Sequence, residues 1–212
     1  MKTLKTLIKA SLLTATIGAF SVSAHANLIV NGGFEQPNFN GTTWTWTPST
    51  NVDGWDGSNI ELWKSGFNGV TSFGGSNQHA ELNAHPYSGQ PFNIFQTFST
   101  TVGQSYDVTF AYRARANNSE EFNFGVDGLI SEYINDHTTA GWSVYSTSFI
   151  ANDTNATIRF TSVNPLTQTV GNFIDDVSVV SSPTQVAEPA TLALLGLGLA
   201  GLGFSRRRMK NA

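Results

Sequence analysis

The chain has 212 residues, of which 40% are hydrophobic and 12% charged, and it contains no cysteine. Its formal net charge is −4, but residues 27–182 contain four Lys and Arg against 14 of the 15 acidic residues, a net charge of −10. An acidic domain repels phosphate backbones, which argues against nucleic acid as a partner. Without cysteine there is no disulfide framework, so the fold must depend on an apolar core or a bound metal.

The first 26 residues have the pattern of a secretory signal peptide. Three lysines accompany an apolar stretch over residues 7–20, for which we expect a signal helix. Ala24 and Ala26 supply the small side chains that signal peptidase needs. We therefore expect a mature chain that begins at Asn27.

Between residues 27 and 182, short runs of alternating apolar and polar residues are separated by Gly, Asn, Asp and Pro, which predicts strands. Nine strands are predicted, at residues 27–30, 60–63, 78–83, 94–100, 105–113, 121–126, 142–150, 156–162 and 172–180. No crossover helix separates them. The pattern therefore predicts one all-β domain, an antiparallel β-sandwich of the jelly-roll type.

Trp44 and Trp46 are candidate carbohydrate-binding residues. They are separated by one residue in a Thr-rich run, so in an extended chain both side chains point to the same side. Sugars stack their apolar faces on such rings, while polar groups bond the hydroxyls. Packing in the interior is the equally weighted alternative. For Trp55 and Trp142, packing is favoured because large aromatic side chains are usually well buried.

The segment 78–85 alternates so that His79, Glu81, Asn83 and His85 share one face of a strand. These side chains could ligate a transition metal, bond a sugar or face water, and a solvated face is the favoured interpretation. His79 and Glu81 are retained as candidate carbohydrate ligands. The spacing is not that of the zinc proteases, whose two histidines lie one helical turn apart.

Three carboxylates are candidate calcium ligands. Glu35 follows the first predicted strand, and Asp175 and Asp176 lie in the last. Alternate residues of that last strand are expected to face the core: Phe173, Asp175, Val177 and Val179. An inward Asp is costly unless it is hydrogen-bonded or bound to a cation, and Ca²⁺ favours such oxygens. Capping of loop amides is the alternative.

The C-terminal residues 183–212 have the pattern of a sorting tail. Glu188 and Pro189 precede an uncharged run over residues 190–204, and three arginines follow it: Arg206, Arg207 and Arg208. As a helix the run would be about 22 Å long, short for a bilayer span, with the arginines on the cytoplasmic side.

This arrangement resembles the PEP-CTERM sorting signal of Gram-negative bacteria, with Ala187-Glu188-Pro189 in place of Pro-Glu-Pro. The resemblance implies a short C-terminal transmembrane helix held transiently in the inner membrane. It also implies cleavage by an exosortase and release to the cell surface or extracellular matrix.

A second resemblance covers almost the whole domain. Its landmarks, in order, are Asn31-Gly32-Gly33-Phe34-Glu35, Gly54-Trp55, Ala80-Glu81-Leu82, Gln96-Thr97-Phe98, Gly103-Gln104-Ser105-Tyr106, Phe110-Ala111-Tyr112-Arg113, Gly141-Trp142 and Ile174-Asp175-Asp176-Val177. Their order is similar to that of galactose-binding-like jelly rolls, among them carbohydrate-binding modules of families 4/9 and 22 and related cell-wall domains. The resemblance implies a structural calcium that joins Glu35 to Asp175 or Asp176. It does not transfer a sugar site, because ligand-binding residues vary among these modules.

The sequence shows no cysteine nucleophile, no Gly-x-Ser-x-Gly elbow and no phosphate-binding loop. We therefore predict an exported surface or matrix protein that binds extracellular polysaccharide without catalysis. A structural or adhesive protein that contacts other proteins is the first alternative. A glycoside hydrolase is the weaker alternative, since sequence spacing cannot place two carboxylates across a cleft.

Overall fold

The structure, a computed structural model, describes residues 26–87, 89–183 and 196–198. Within these residues the strands are β1 (Trp44–Thr47), β2 (Asp56–Gly57), β3 (Ile60–Lys64), β4 (Gln78–Glu81), β5 (Asn93–Ser99), β6 (Ser105–Arg113), β7 (Glu121–Val126), β8 (Ile130–Ile134), β9 (Ser143–Ile150), β10 (Asn155–Asn164) and β11 (Phe173–Ser181). Short 3-10 helices lie at Ser49–Asn51, Phe67–Gly69 and Phe73–Gly75.

The strands form two antiparallel sheets. Sheet A has six strands in the order β1-β3-β4-β11-β6-β9, and sheet B has five in the order β2-β5-β10-β7-β8. Each adjacent pair in both sheets is antiparallel. This arrangement confirms the predicted all-β jelly-roll sandwich.

The main core lies between the two sheets and extends from Ile29 to Val179. In β6 the predicted alternation holds, since Val108 and Phe110 are buried in this core. A second, smaller core lies on the outer face of sheet A, where Trp63, Val70 and Phe173 are buried. Both cores are built from residues 27–182, so this stretch has the packing that an independent domain needs.

The segment 65–77 lies over the outer face of sheet A. Phe67 and Val70 from this segment pack into the second core. Its first turn uses Gly66, whose positive φ of 89° suits a residue without a side chain. The segment converts what would be a solvated sheet face into a buried one.

Several strand predictions were wrong in detail. Residues 27–30 do not form a strand, although the Leu28 amide donates to the Val179 carbonyl at 2.8 Å. Strands β1, β2 and β8 were not predicted. The dipeptide Asp127-Gly128, in the three-residue loop 127–129 that links β7 to β8, is a hairpin signal that could have located β8.

The predicted facing of β11 is confirmed for Val177 and Val179 but was wrong for Phe173 and Asp175. Phe173 packs in the second core on the outer face, whereas Val177 and Val179 pack in the main core. The register between β11 and β6 shifts between Asp175 and Ser178, and Asp176 has a φ of 48°. This bulge adds one residue to β11 and reverses the alternation of its side chains. Odd-numbered residues therefore point to the outer face before the bulge and to the main core after it.

No helix among the described residues is both long and apolar enough to cross a membrane. The predicted signal helix lies outside the described residues. The predicted span at 190–204 also lies outside them, except for residues 196–198, which are helical.

Candidate functional site

All four residues proposed to bind carbohydrate lie on the outer face of sheet A. Residues directly opposite each other in an antiparallel pair share a face. Two cross-strand rows are formed in this way: Trp44, Trp63 and His79 in the first, and Trp46, Glu61 and Glu81 in the second. The four candidates therefore lie on one face, on β1 and β4, with β3 between these two strands.

His79 does not face water, so the favoured interpretation of this strand face was wrong. It is fully buried, and its ring contacts Trp63, Trp142 and Phe173. Its Nδ1 lies 2.9 Å from Ser72 Oγ, and its Nε2 has no hydrogen-bond partner among the described residues. Burial lowers the pKa of His79 to about 3. His79 is thus a neutral core residue that a ligand cannot reach in this structure.

Glu81 is one of two fully buried glutamates on neighbouring strands, the other being Glu61. Arg115 Nη1 donates to both carboxylate oxygens of Glu81, at 2.9 and 2.8 Å, and lies 3.8 Å from Glu61 Oε1. Burial raises the pKa of Glu81 well above its usual value, and the Glu61 charge raises it further, while Arg115 lowers it. The pair is a closed network inside the scaffold, so a glycosidic bond cannot reach either carboxylate here.

Glu61 links this buried pair to the surface. Its Oε1 accepts from Trp63 Nε1 at 2.8 Å, and its Oε2 lies 2.8 Å from His85 Nδ1. The other ring nitrogen of His85 lies 3.2 Å from Thr169 Oγ1. With both nitrogens engaged, the His85 ring is fixed at the surface.

Four rings near this anchor form what we call the aromatic edge: the exposed Trp46 and Tyr87, and the half-buried Trp44 and His85. Trp44 stacks on His85 with ring centroids 5.0 Å apart and an interplanar angle of 24°. Trp46 is 44% exposed and Tyr87 is 62% exposed. The aromatic edge can hold the apolar face of a ligand, because two of its rings are exposed and the stacked Trp44–His85 pair is anchored by Glu61.

Two of the predicted calcium ligands, Glu35 and Asp175, bind segment 65–77. Glu35 accepts from the amides of Asn77 and Gln78 at 2.9 and 3.0 Å. Asp175 accepts from the amide of Phe73 and the hydroxyl of Ser76 at 2.9 and 3.1 Å. Both carboxylates therefore bind the loop that precedes β4, as the capping alternative describes.

The fit of a calcium ion to these residues is partial. A Cβ on Gly33 would stand 3.8 Å from Asp175 Oδ1 and 3.9 Å from Glu35 Cγ, so both side chains lie beside Gly33. Asp176 is exposed, on the bulge. Among the described residues, no three His, Asp or Glu side chains form a group that could hold a metal. Calcium bound by Glu35 and Asp175 remains a prediction.

Sequence reasoning missed Glu61, Arg115 and the role of His85. Glu61 stands in the otherwise apolar run of residues 60–63, and a charge inside such a run signals a buried ion pair. Arg115 carries no comparable signal, because it lies in a turn after β6 and reaches Glu81 only through the tertiary fold.

The chain belongs to the family described as "Protein of unknown function (DUF642)", whose model matches residues 27–180. Residues 185–208 match the PEP-CTERM protein-sorting motif, which confirms the prediction from the tail sequence. The motif identifies an exported protein that passes through a membrane-anchored sorting stage. A search of curated proteins gives no significant match to this sequence.

Solved structures with a similar fold include carbohydrate-binding modules. A family 61 module in complex with β-1,4-galactotriose is 15% identical, with 74% of this chain and 99% of that chain covered and a TM-score of 0.48. A family 4 module is 14% identical, with 73% and 99% covered and a TM-score of 0.40. An arabinose-bound α-L-arabinofuranosidase is 13% identical, with 76% and 27% covered and a TM-score of 0.49. Likeness of this degree carries no information about a ligand.

Proposed function

We propose that the domain formed by residues 27–182 binds an extracellular polysaccharide at the aromatic edge and performs no chemistry on it. The observation that carries the proposal is the pair of tryptophans on β1. One is exposed, and the other stacks on a histidine that is anchored to a buried glutamate. A ring that is already held in place, as Trp44 is by its stacking on His85, loses little entropy when a sugar stacks on it.

The charge distribution favours a neutral polysaccharide. All four Lys and Arg residues of the domain are engaged by other groups: Lys64 by Asn38, Arg113 by Thr139, Arg115 by Glu81 and Arg159 by Asp127. The domain as a whole is strongly acidic. The net negative charge of the domain would therefore repel an acidic glycan.

Affinity electrophoresis of the domain tests this proposal. Native gels would contain xylan, β-1,4-galactan or mixed-linkage β-glucan as neutral probes, and alginate as an acidic one. We expect retardation by at least one neutral polysaccharide. Trp46→Ala should weaken the affinity at least about fivefold, since a stacked ring contributes about 1 kcal/mol beyond its area.

Val144→Ala is the matched control for Trp46→Ala. Val144 is also exposed on the outer face of sheet A, but it lies on β9, at the opposite edge. Equal retardation of Trp46→Ala and the wild type would exclude the aromatic edge as the site. No retardation by any probe would overturn glycan binding itself.

A structural role through contacts with other proteins is the second candidate. The loop after β10 exposes two apolar side chains, Leu166 and Val170, and this favours contact with another protein. Thr167 of this loop lies 3.5 Å from the Tyr87 hydroxyl, so these side chains extend the aromatic edge. Concentration-dependent self-association in sedimentation runs without glycan would support this role.

A further inference from the structure

The outer face of sheet B carries polar side chains from four adjacent strands. Residues in register on β5, β10, β7 and β8 form two rows: Asn93, Thr161, Asn123 and Tyr133 in one, and Phe95, Arg159, Gly125 and Ser131 in the other. This face is separated from the aromatic edge by the whole thickness of the sandwich.

Arg159 is held in a fixed orientation on this face. Its guanidinium stacks over the Phe95 ring at 4.5 Å, donates to both carboxylate oxygens of Asp127 at 3.1 and 2.9 Å, and donates to Asn93 Oδ1 at 3.0 Å. Three of the five N–H groups of the guanidinium are used in this way. Two donors remain, on a planar group whose position is already determined.

Tyr133 and Asn123 complete the surface. Tyr133 is 50% exposed, and the Glu121 carboxylate nearby raises the pKa of its hydroxyl. Asn123, its cross-strand neighbour, is exposed, and its side-chain amide has no partner among the described residues. The face thus offers an aromatic ring, an unused amide and unused guanidinium donors side by side.

Gly125 leaves a shallow depression between Arg159 and Ser131. A Cβ at this position would lie 2.9 Å from the Ile130 carbonyl oxygen, so close strand packing requires the glycine. The result is a gap of one side chain in this row, bordered by Arg159 and Ser131.

The chemistry of this face matches a neutral polyhydroxylated chain. Arg159 is neutralised by Asp127, so the face has no free positive charge for an acidic ligand. Strands lie about 4.8 Å apart, which is close to the length of one pyranose unit. A polysaccharide lying across the strands would therefore place successive sugar rings over successive strands.

We propose that the outer face of sheet B is a second polysaccharide-binding surface, and that one molecule bridges two polysaccharide chains. The bridging rests on the proposed function, because it needs the aromatic edge as the first site. The two surfaces face away from each other, so two chains can bind without competing. A domain with two weak sites would cross-link polysaccharide through avidity.

Bridging and binding are measured separately on the domain, residues 27–182. Binding is read from affinity electrophoresis with xylan, β-1,4-galactan and mixed-linkage β-glucan, and bridging from the clumping of beads coated with the same polysaccharides. The sheet B variant carries Tyr133→Ala and Asn123→Ala, the sheet A variant carries Trp46→Ala, and a third carries all three changes. Glu132→Ala is the matched control, since Glu132 is exposed on β8 but alternates to the other side.

We expect the sheet A variant and the sheet B variant each to remain retarded in gels, but to need at least tenfold more protein than the wild type to clump beads. The variant with all three changes should show neither retardation nor clumping. Glu132→Ala should behave as the wild type. Melting curves and sedimentation of each variant show that it is folded and monomeric.

Two results would overturn the second surface and leave the proposed function intact. One is a sheet B variant that clumps beads like the wild type, and the other is a complete loss of retardation in Trp46→Ala alone. If instead Trp46→Ala changes nothing and the sheet B variant is not retarded, the aromatic edge is excluded and bridging with it. Clumping without retardation by any soluble probe would also overturn the proposal.

Discussion

At the residue scale, burial of His79 predicts a pH dependence of stability. The unfolded chain binds a proton at this residue near pH 6.5, whereas the folded chain keeps it neutral until about pH 3. The free energy of unfolding therefore falls as the pH drops through this window, by up to about 5 kcal/mol. Urea unfolding between pH 7.5 and 4.5 should show a shallower decline for His79→Phe.

The quantity compared is the difference in the free energy of unfolding between His79→Phe and the wild type at each pH. Burial raises the pKa of Asp175 to about 7, which makes stability increase as the pH falls toward 4. That opposite trend is present in both proteins and cancels in the difference. Parallel curves for the two proteins would contradict the neutral, buried His79.

A second prediction at this scale concerns the positive charge of Arg115. Arg115→Met leaves the buried carboxylates of Glu61 and Glu81 without their cation, which should lower the free energy of unfolding by about 3–5 kcal/mol at pH 7. Urea titration measures this loss, which should shrink on acidification because Glu81 then takes up a proton.

Arg159→Met is the control for Arg115→Met. It breaks the more exposed ion pair with Asp127, and we expect a loss of no more than about 1 kcal/mol. A similar loss for the two variants would mean that the buried pair does not depend on Arg115.

At the element scale, segment 65–77 is held by Glu35 and Asp175, and this arrangement makes the calcium prediction testable. A metal bound only by the folded state raises its melting temperature with concentration. We expect calcium to raise the melting temperature of the domain, excess chelator to reverse the rise, and Asp175→Asn to abolish it. An identical melting temperature with calcium and with chelator would show that the two carboxylates only cap loop amides.

At the scale of the whole molecule, the folded domain and the sorting tail have separate roles. The motif match implies that Glu188 and Pro189 lie where an exosortase acts. In a Gram-negative host with an exosortase, we expect Pro189→Ala to accumulate in the membrane fraction at full tail length, while the wild type is released. Gln185→Ala is the control just upstream, and release of Pro189→Ala at the wild-type mass would contradict this role.

Much of the fold was predictable because it depends on local alternation. The period-two pattern located eight of the strands, including β6 and β10, since a half-buried strand must alternate. The four-residue β1 and two-residue β2 were missed, because such short strands carry too few residues to show a period. Trp44 and Trp46 were correctly placed on one face, since that geometry follows from an extended backbone alone.

The sequence by itself determined the all-β class, the sorting motif and the acidic character of the domain, all of which depend on composition and on neighbours along the chain. The tertiary structure alone decided what covers each sheet face. Segment 65–77 buries His79, the β11 bulge turns Asp175 away from the main core, and Arg115 reaches Glu81 across 34 positions of sequence. Such contacts arise from packing between distant segments, so no local period encodes them.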